Sequence, residues 1–341
     1  MRPAVEKDAS PGAIMNPAPA PRAAINPSLT RHFADLTPSG EFMGGLRRLG
    51  AVNAIVIGTL GAIVAGGVYF IDAPTWEVAP PFVKTTEFYY WVLLHCAQGA
   101  LWFVLAAPLI VWLRELRPFW AGNKLRIWSS VAVLVALIAT FVVLSAGMTP
   151  EYGFPGMQIK IMVLAPFPIL LAVGGAIGVW LVDGALGSGA GGSPTEDGIR
   201  EYLWLRDRSG ALLALLAAVL ASAILNLVVL RNAVLAAHSS TDAQDIFPPQ
   251  LILLHGTFFS LLLAFGYAPT YLRFRSIGLR MREELFGVPA SGSNGWSSWH
   301  QNRDAFEKVM ELQPGANPTA RTVAKILSPA GTAILAYFNI G

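Results

Sequence analysis

The chain has 341 residues, of which 54% are hydrophobic and 13% charged, roughly half the charged share of a soluble domain. The net charge of +3 is small, and the basic residues stand beside apolar runs rather than in a stripe, which argues against a nucleic-acid-binding surface. With Cys96 as its single cysteine, the chain has no disulfide framework, CxxC pair or Cys/His zinc spacing.

Taken in order, residues 1–40 are rich in Pro, Ala and Asn and lack an early apolar core. They read as a disordered cytosolic arm rather than a signal peptide. Arg47 and Arg48 precede the first apolar run with no small-residue cleavage site after them, so they read as a positive-inside anchor. Six segments then have the roughly 20 apolar residues of a spanning helix: 49–71, 88–113, 127–147, 159–182, 211–232 and 250–272. Unpaired backbone is not tolerated in hydrocarbon, so these runs are expected to be helical. The fold expectation is all-α: a polytopic six-transmembrane-helix bundle over residues 41–284 in a bacterial-type inner (plasma) membrane.

Loop charges orient the bundle. Arg114, Arg117, Lys124 and Arg126 lie between the second and third spans, and Arg200, Arg206 and Arg208 between the fourth and fifth. Arg273, Arg275, Arg280 and Arg282 follow the sixth. The alternate loops hold Asp72, Glu77, Glu87, Glu151, Asp242 and Asp245, with few cations. The expectation is both termini in the cytoplasm. Tyr89, Tyr90 and Trp91 would mark the outer interface, and Trp112, Trp128, Trp180, Tyr267 and Tyr271 the inner one. Gly58, Ala62 and Gly66, and likewise Gly174 and Gly178, have the four-residue spacing of close helix contacts.

Residues 184–193 form a Gly/Ser-rich linker that stops at Ser193-Pro194-Thr195-Glu196, a capping-box pattern. A short interfacial helix carrying Ile199, Tyr202, Leu203 and Leu205 on one face is expected to follow. Residues 285–341 read as a cytosolic tail with short amphipathic helices. Its apolar run from Ala330 to Phe338 is too short to span. His300, Arg303, Asp304 and Glu307 in this tail read as a solvated helix face.

Two histidines lie inside apolar runs, in the phrases Leu93-Leu94-His95 and Leu253-Leu254-His255, 160 residues apart. Aligning 50–95 with 210–255 without gaps gives nine identities in 46 positions. The pattern suggests duplicated helix hairpins with the two histidines at matched places. Each would sit about 10 Å below the outer end of its helix. Gln98 neighbours His95, and Thr257 neighbours His255. An ionisable side chain at membrane depth is a functional hypothesis by default.

Three readings stand side by side. In the first, His95 and His255 ligate the iron of a b-type haem, or contact a quinone, with Gln98 and Thr257 as further cofactor contacts. Lys84, Lys160 and Arg231 are then the only cations near the propionates. In the second, the histidines line a path for a small neutral solute, with Asn53 and Asn226 as further polar positions. The absence of Asp or Glu from the span interiors disfavours ion-coupled transport. In the third, each histidine locks helix packing, and the arm and tail bind protein partners. The sequence assigns no catalytic residue. No P-loop, nucleophile elbow, HExxH or dinucleotide fingerprint is present. The one certain partner class is the lipid bilayer.

Overall fold

The computed structural model describes residues 50–70, 81–146, 163–164, 166–237, 247–289, 295–312 and 316–339. The expected N-terminal arm and the acidic loop residues Asp72, Glu77, Glu151, Asp242 and Asp245 lie outside them, as does Lys160. The described residues form eight α-helices: α1 Ala51–Phe70, α2 Thr86–Leu116, α3 Lys124–Ala146, α4 Pro166–Gly187, α5 Glu196–Ala237, α6 Gln250–Leu285, α7 Trp296–Val309 and α8 Ala316–Asn339. Five of them (α1, α2, α4, α5 and α6) are long and apolar enough to cross a membrane. The chain is all-α and has the make-up of a multi-pass membrane protein. The sixth expected span, 127–147, falls on α3, whose apolar stretch among the described residues is the shorter Ile127–Thr140.

Local chemistry explains several boundaries. Thr85 caps α2 by accepting from Phe88 N at 3.1 Å, with Glu87 in the first turn. At α5, Thr195 accepts from Gly198 N at 3.3 Å and the helix begins at Glu196. The cap therefore sits two residues later than the Ser193 pattern implies. No break separates the expected interfacial helix from the fifth span: both are one 42-residue helix. Ile199, Tyr202, Leu203 and Leu205 are buried in it, so they face protein. The preceding Gly linker is fixed rather than loose. Gly191 N donates to Glu201 at 2.7 Å, and Gly191 has φ of +63°. A Cβ there would lie 2.9 Å from Tyr202 N and Cα. Gly191→Ala is expected to lower stability by about 2 kcal/mol, through left-handed backbone cost plus the clash. Thermal unfolding in detergent micelles measures it, and an unchanged midpoint would refute the argument.

Helix contacts follow small residues, as expected, but the tightest one is elsewhere. At the α1–α2 crossing Gly61 and Gly99 meet backbone to backbone, so a Cβ on either would strike the other's carbonyl oxygen. Gly58 and Gly66 of the expected stripe pack more loosely around this point, against Val104 and Cys96. In α4, Gly174 receives Leu109, while Gly175 and Gly178 receive Leu216 and Leu212. Small residues thus let leucines of α2 and α5 reach the α4 backbone.

The basic ends of α2, α5 and α6 meet in a network of charges. Arg208, 4% exposed, pairs with Glu115 at 2.8 Å and lies over the rings of Trp112 and Trp204. Arg273 reaches the buried Asp183 carboxylate at 3.4 Å and donates to its carbonyl at 2.7 Å. Helix α7 docks here. Trp299 Nε1 donates to Phe286 O at 2.9 Å, and Phe306 is fully buried. The expected solvated face of α7 is only partly so: Arg303 and Glu307 are half-buried and interlock with Arg282 and Glu283 of α6.

The hydrogen bond from Arg282 holds the Glu283 carboxyl below its usual range. A depressed folded-state pKa gives stability that is present above the unfolded value and lost as pH falls through the folded one. The melting midpoint of the wild type should therefore exceed that of Glu283→Gln at neutral pH. The gap should close on acidification below about pH 4. The carboxylate is half exposed, so the effect is small. A gap independent of pH would rule out this origin.

Candidate functional site

His95 projects from α2 toward α5, inside the apolar cluster that includes Tyr69, Phe88, Trp91, Ile224 and Val228. Its partner is Asn226, the amide in the middle of α5. Asn226 Nδ2 lies 2.8 Å from His95 Nδ1 and 3.3 Å from Nε2. The same amide nitrogen donates to Gln98 Oε1 at 2.9 Å, and Asn226 Oδ1 accepts from Trp91 Nε1 at 3.0 Å. Gln98 Nε2 in turn donates to the Ser222 carbonyl.

This chain of bonds fixes its own polarity. Trp91 Nε1–H only donates, so the Asn226 atom facing it is the oxygen. The Ser222 carbonyl only accepts, so the Gln98 nitrogen faces it and Gln98 Oε1 is left to accept from Asn226. The second N–H of Asn226 then points at His95. Asn226 therefore donates to the imidazole; which ring nitrogen receives the bond depends on the tautomer, because the Trp91 carbonyl one turn back is a second partner of the ring. Both polar ends of Asn226 and of Gln98 are used. The imidazole is also enclosed by rings: Trp91 at 4.8 Å and Tyr69 at 5.1 Å between centroids, both edge-on.

His255 stands in a different setting. Its Nδ1 lies 2.8 Å from Leu251 O of its own helix, and a carbonyl only accepts, so the proton is on Nδ1. The Phe259 ring lies edge-on at 6.2 Å between centroids. The ring is half-buried, whereas His95 is buried. The residues after it lead to α8: a Cβ on Gly256 would meet Ala333, and Ser260 Oγ accepts from Ala330 N at 3.0 Å. The two histidines thus have different partners: the Asn226 amide of another helix for His95, and the Leu251 carbonyl for His255. Of the expected site residues, His95 and Gln98 come together around Asn226. His255 is held by its own helix, and Thr257 is exposed on the outside of α6. Asn53, the other polar position named for a solute path, is exposed on α1.

These arrangements bear on each group the histidines could hold. Iron is ligated through an imidazole lone pair. In His95 that lone pair accepts from Asn226, so His95 as placed does not fit an axial ligand. Arg231, a candidate propionate partner, is 2% exposed and turns Nε to Phe247 O at 2.9 Å. Lys84 is exposed at the start of α2. Among the described residues no three His, Cys, Asp or Glu side chains gather as a metal site.

Sequence reasoning undervalued two members of the cluster. Trp91 reads as an interfacial anchor beside Tyr89 and Tyr90. Those two are exposed, but Trp91 is fully buried and is the donor that sets the orientation of Asn226. Asn226 reads as one polar position among several, because nothing in the sequence links it to a histidine 131 residues away. The signal available was its isolation: a lone amide in an apolar helix needs a partner from another helix. No family model, no curated protein and no solved structure matches the chain.

Proposed function

We propose that this chain is a structural or partner-binding membrane protein whose helix core is locked by the Trp91–Asn226–His95–Gln98–Ser222 cluster. The observation that carries this reading is the cluster's internal completeness. Every polar atom of Asn226 and Gln98 has a protein partner, and the imidazole accepts rather than waits for a ligand. A solute path built on His95 would have to open these bonds at each passage. The charged end, where α7 docks against α5 and α6, is the rigid surface offered to a protein partner. In this reading that end faces the cytoplasm, following its excess of arginine.

A redox role resting on His255 is the second reading, and one observation favours it. The bond from Nδ1 to Leu251 O places the lone pair on Nε2, the tautomer in which histidine ligates metals or accepts from a ligand such as a quinol. The two readings separate by optical spectroscopy of the purified protein, oxidised and reduced, from cells supplied with haem precursor. The structural reading expects no Soret band and no quinone in the organic extract. A Soret band or bound quinone that disappears in His255→Ala would overturn it in favour of the redox reading. Solute flux in liposomes that depended on His95 would overturn it in favour of transport.

A further inference from the structure

We propose that α8 is a further membrane-crossing helix whose outward face is covered by lipid acyl chains, carrying the C-terminal end of the chain to the face opposite the arginine-rich end. Three contacts set its path. Lys325 Nζ donates to Gly210 O at 3.0 Å, near the basic end of α5. Ala330 N donates to Ser260 Oγ at 3.0 Å, and Ala333 lies against Gly256. As the α8 numbers rise, the α6 numbers fall, so α8 runs antiparallel to α6 and away from the basic end.

Depth follows from helix geometry. Gly256 is 17 residues from Arg273 on α6, about 25 Å along the axis. A helix lying on the surface at the basic end cannot reach that far, yet Ala333 is fully buried there, in one cluster with Ile224, Val228, Leu251 and Ile252. The 24 residues of α8 extend about 36 Å, enough for a hydrocarbon core of about 30 Å.

The outward face has the chemistry of a lipid contact. Val323, Leu327, Ile334, Leu335 and Phe338 are all exposed, Phe338 at 77%. They continue the exposed apolar surface of α6, which presents Leu254, Leu261, Phe265 and Leu272. Arg321 is exposed near the basic end, where a snorkelling cation belongs. The polar groups that make α8 read as non-spanning are satisfied internally. Lys325 bonds α5, Ser328 Oγ donates to Lys325 O at 2.9 Å, and Thr332 Oγ1 donates to Ser328 O at 2.8 Å. Pro329 is buried against α6, where its carbonyl would lie 2.8 Å from a Cβ on Gly256.

Two measurements test the proposal on the full chain in a bacterial host. First, alkaline phosphatase, active only outside, and green fluorescent protein, fluorescent only inside, are fused in turn after Gly341, after Leu312 and after Gly122. Expected are phosphatase activity without fluorescence after Gly341, and the reverse after Leu312 and Gly122. Fluorescence after Gly341 would overturn the crossing. So would an identical reading after Leu312 and Gly341, because α8 would then not separate them. Second, Cys96→Ser removes the sole cysteine, and Leu335→Cys then carries a nitroxide. Greater accessibility to oxygen than to a polar nickel chelate is expected for a lipid-facing site. The opposite ratio would overturn the lipid surface.

Discussion

Glu115→Ala should lower the unfolding free energy by about 3 kcal/mol, with the loss read as a lower midpoint in detergent unfolding. The reason is the asymmetry between making and breaking a buried ion pair. Arg208 has a side chain only 5% exposed, and its partner carboxylate lies 2.8 Å away. Forming such a pair contributes little net stability, because two charges lose their water. Removing Glu115 takes from the buried guanidinium the carboxylate 2.8 Å away while leaving its charge out of water, which is the costly state. Trp112 and Trp204, whose ring centroids lie 5.8 and 5.7 Å from the guanidinium carbon, offset part of the loss through cation–π attraction. Glu115 is partly exposed, so water entering its vacated place lowers the cost toward the small end of the range. The double variant Glu115→Leu/Arg208→Met should recover most of the stability, since it removes the stranded charge. A double variant no more stable than Glu115→Ala would remove the buried cation as the cause.

How far the sequence reaches can be judged at particular residues. Helices α1, α2, α4, α5 and α6 fall on predicted apolar runs, because length and hydropathy alone require a buried, internally bonded backbone. Helix α8 was not legible as more than a short apolar run. Lys325, Ser328 and Thr332 dilute its hydropathy, and only three-dimensional contacts show that Gly210 O and the helix's own carbonyls take up their donors. The repeated Leu-Leu-His phrase singled out His95, which lies in a polar cluster with Asn226 and Gln98. It could not tell that His255 turns to the carbonyl of its own helix instead. The residue aligned with Tyr69, beside His95, is Val229, which has no polar group. An alignment of apolar helices matches size and hydropathy, whereas a polar cluster depends on which faces meet. The same limit applies to Gly61 and Gly99. Their backbone contact involves one glycine on each helix, whereas the predicted stripes look for two small residues on one helix.

The sharpest consequence of the cluster concerns Asn226. Asn226→Leu removes the acceptor of Trp91 Nε1 and the donor to both His95 and Gln98. Three interhelical bonds at roughly 0.6 kcal/mol each, the usual membrane average, give a loss of about 2 kcal/mol. The loss is larger if the indole N–H stays unmatched in apolar surroundings. Because the bonds act as a unit, His95→Leu in the Asn226→Leu background should cost much less than His95→Leu alone, with a coupling above about 0.5 kcal/mol. Additive losses would mean that the two side chains do not act together. The ring nitrogens give a second and independent readout. Nitrogen-15 spectra of the imidazoles should show His255 protonated on Nδ1, and Asn226→Leu should alter only the His95 signals. His95 signals unchanged by Asn226→Leu would mean that the amide does not donate to the imidazole. The His95 lone pair would then be left for a ligand, so this comparison separates a packing lock from a cofactor site.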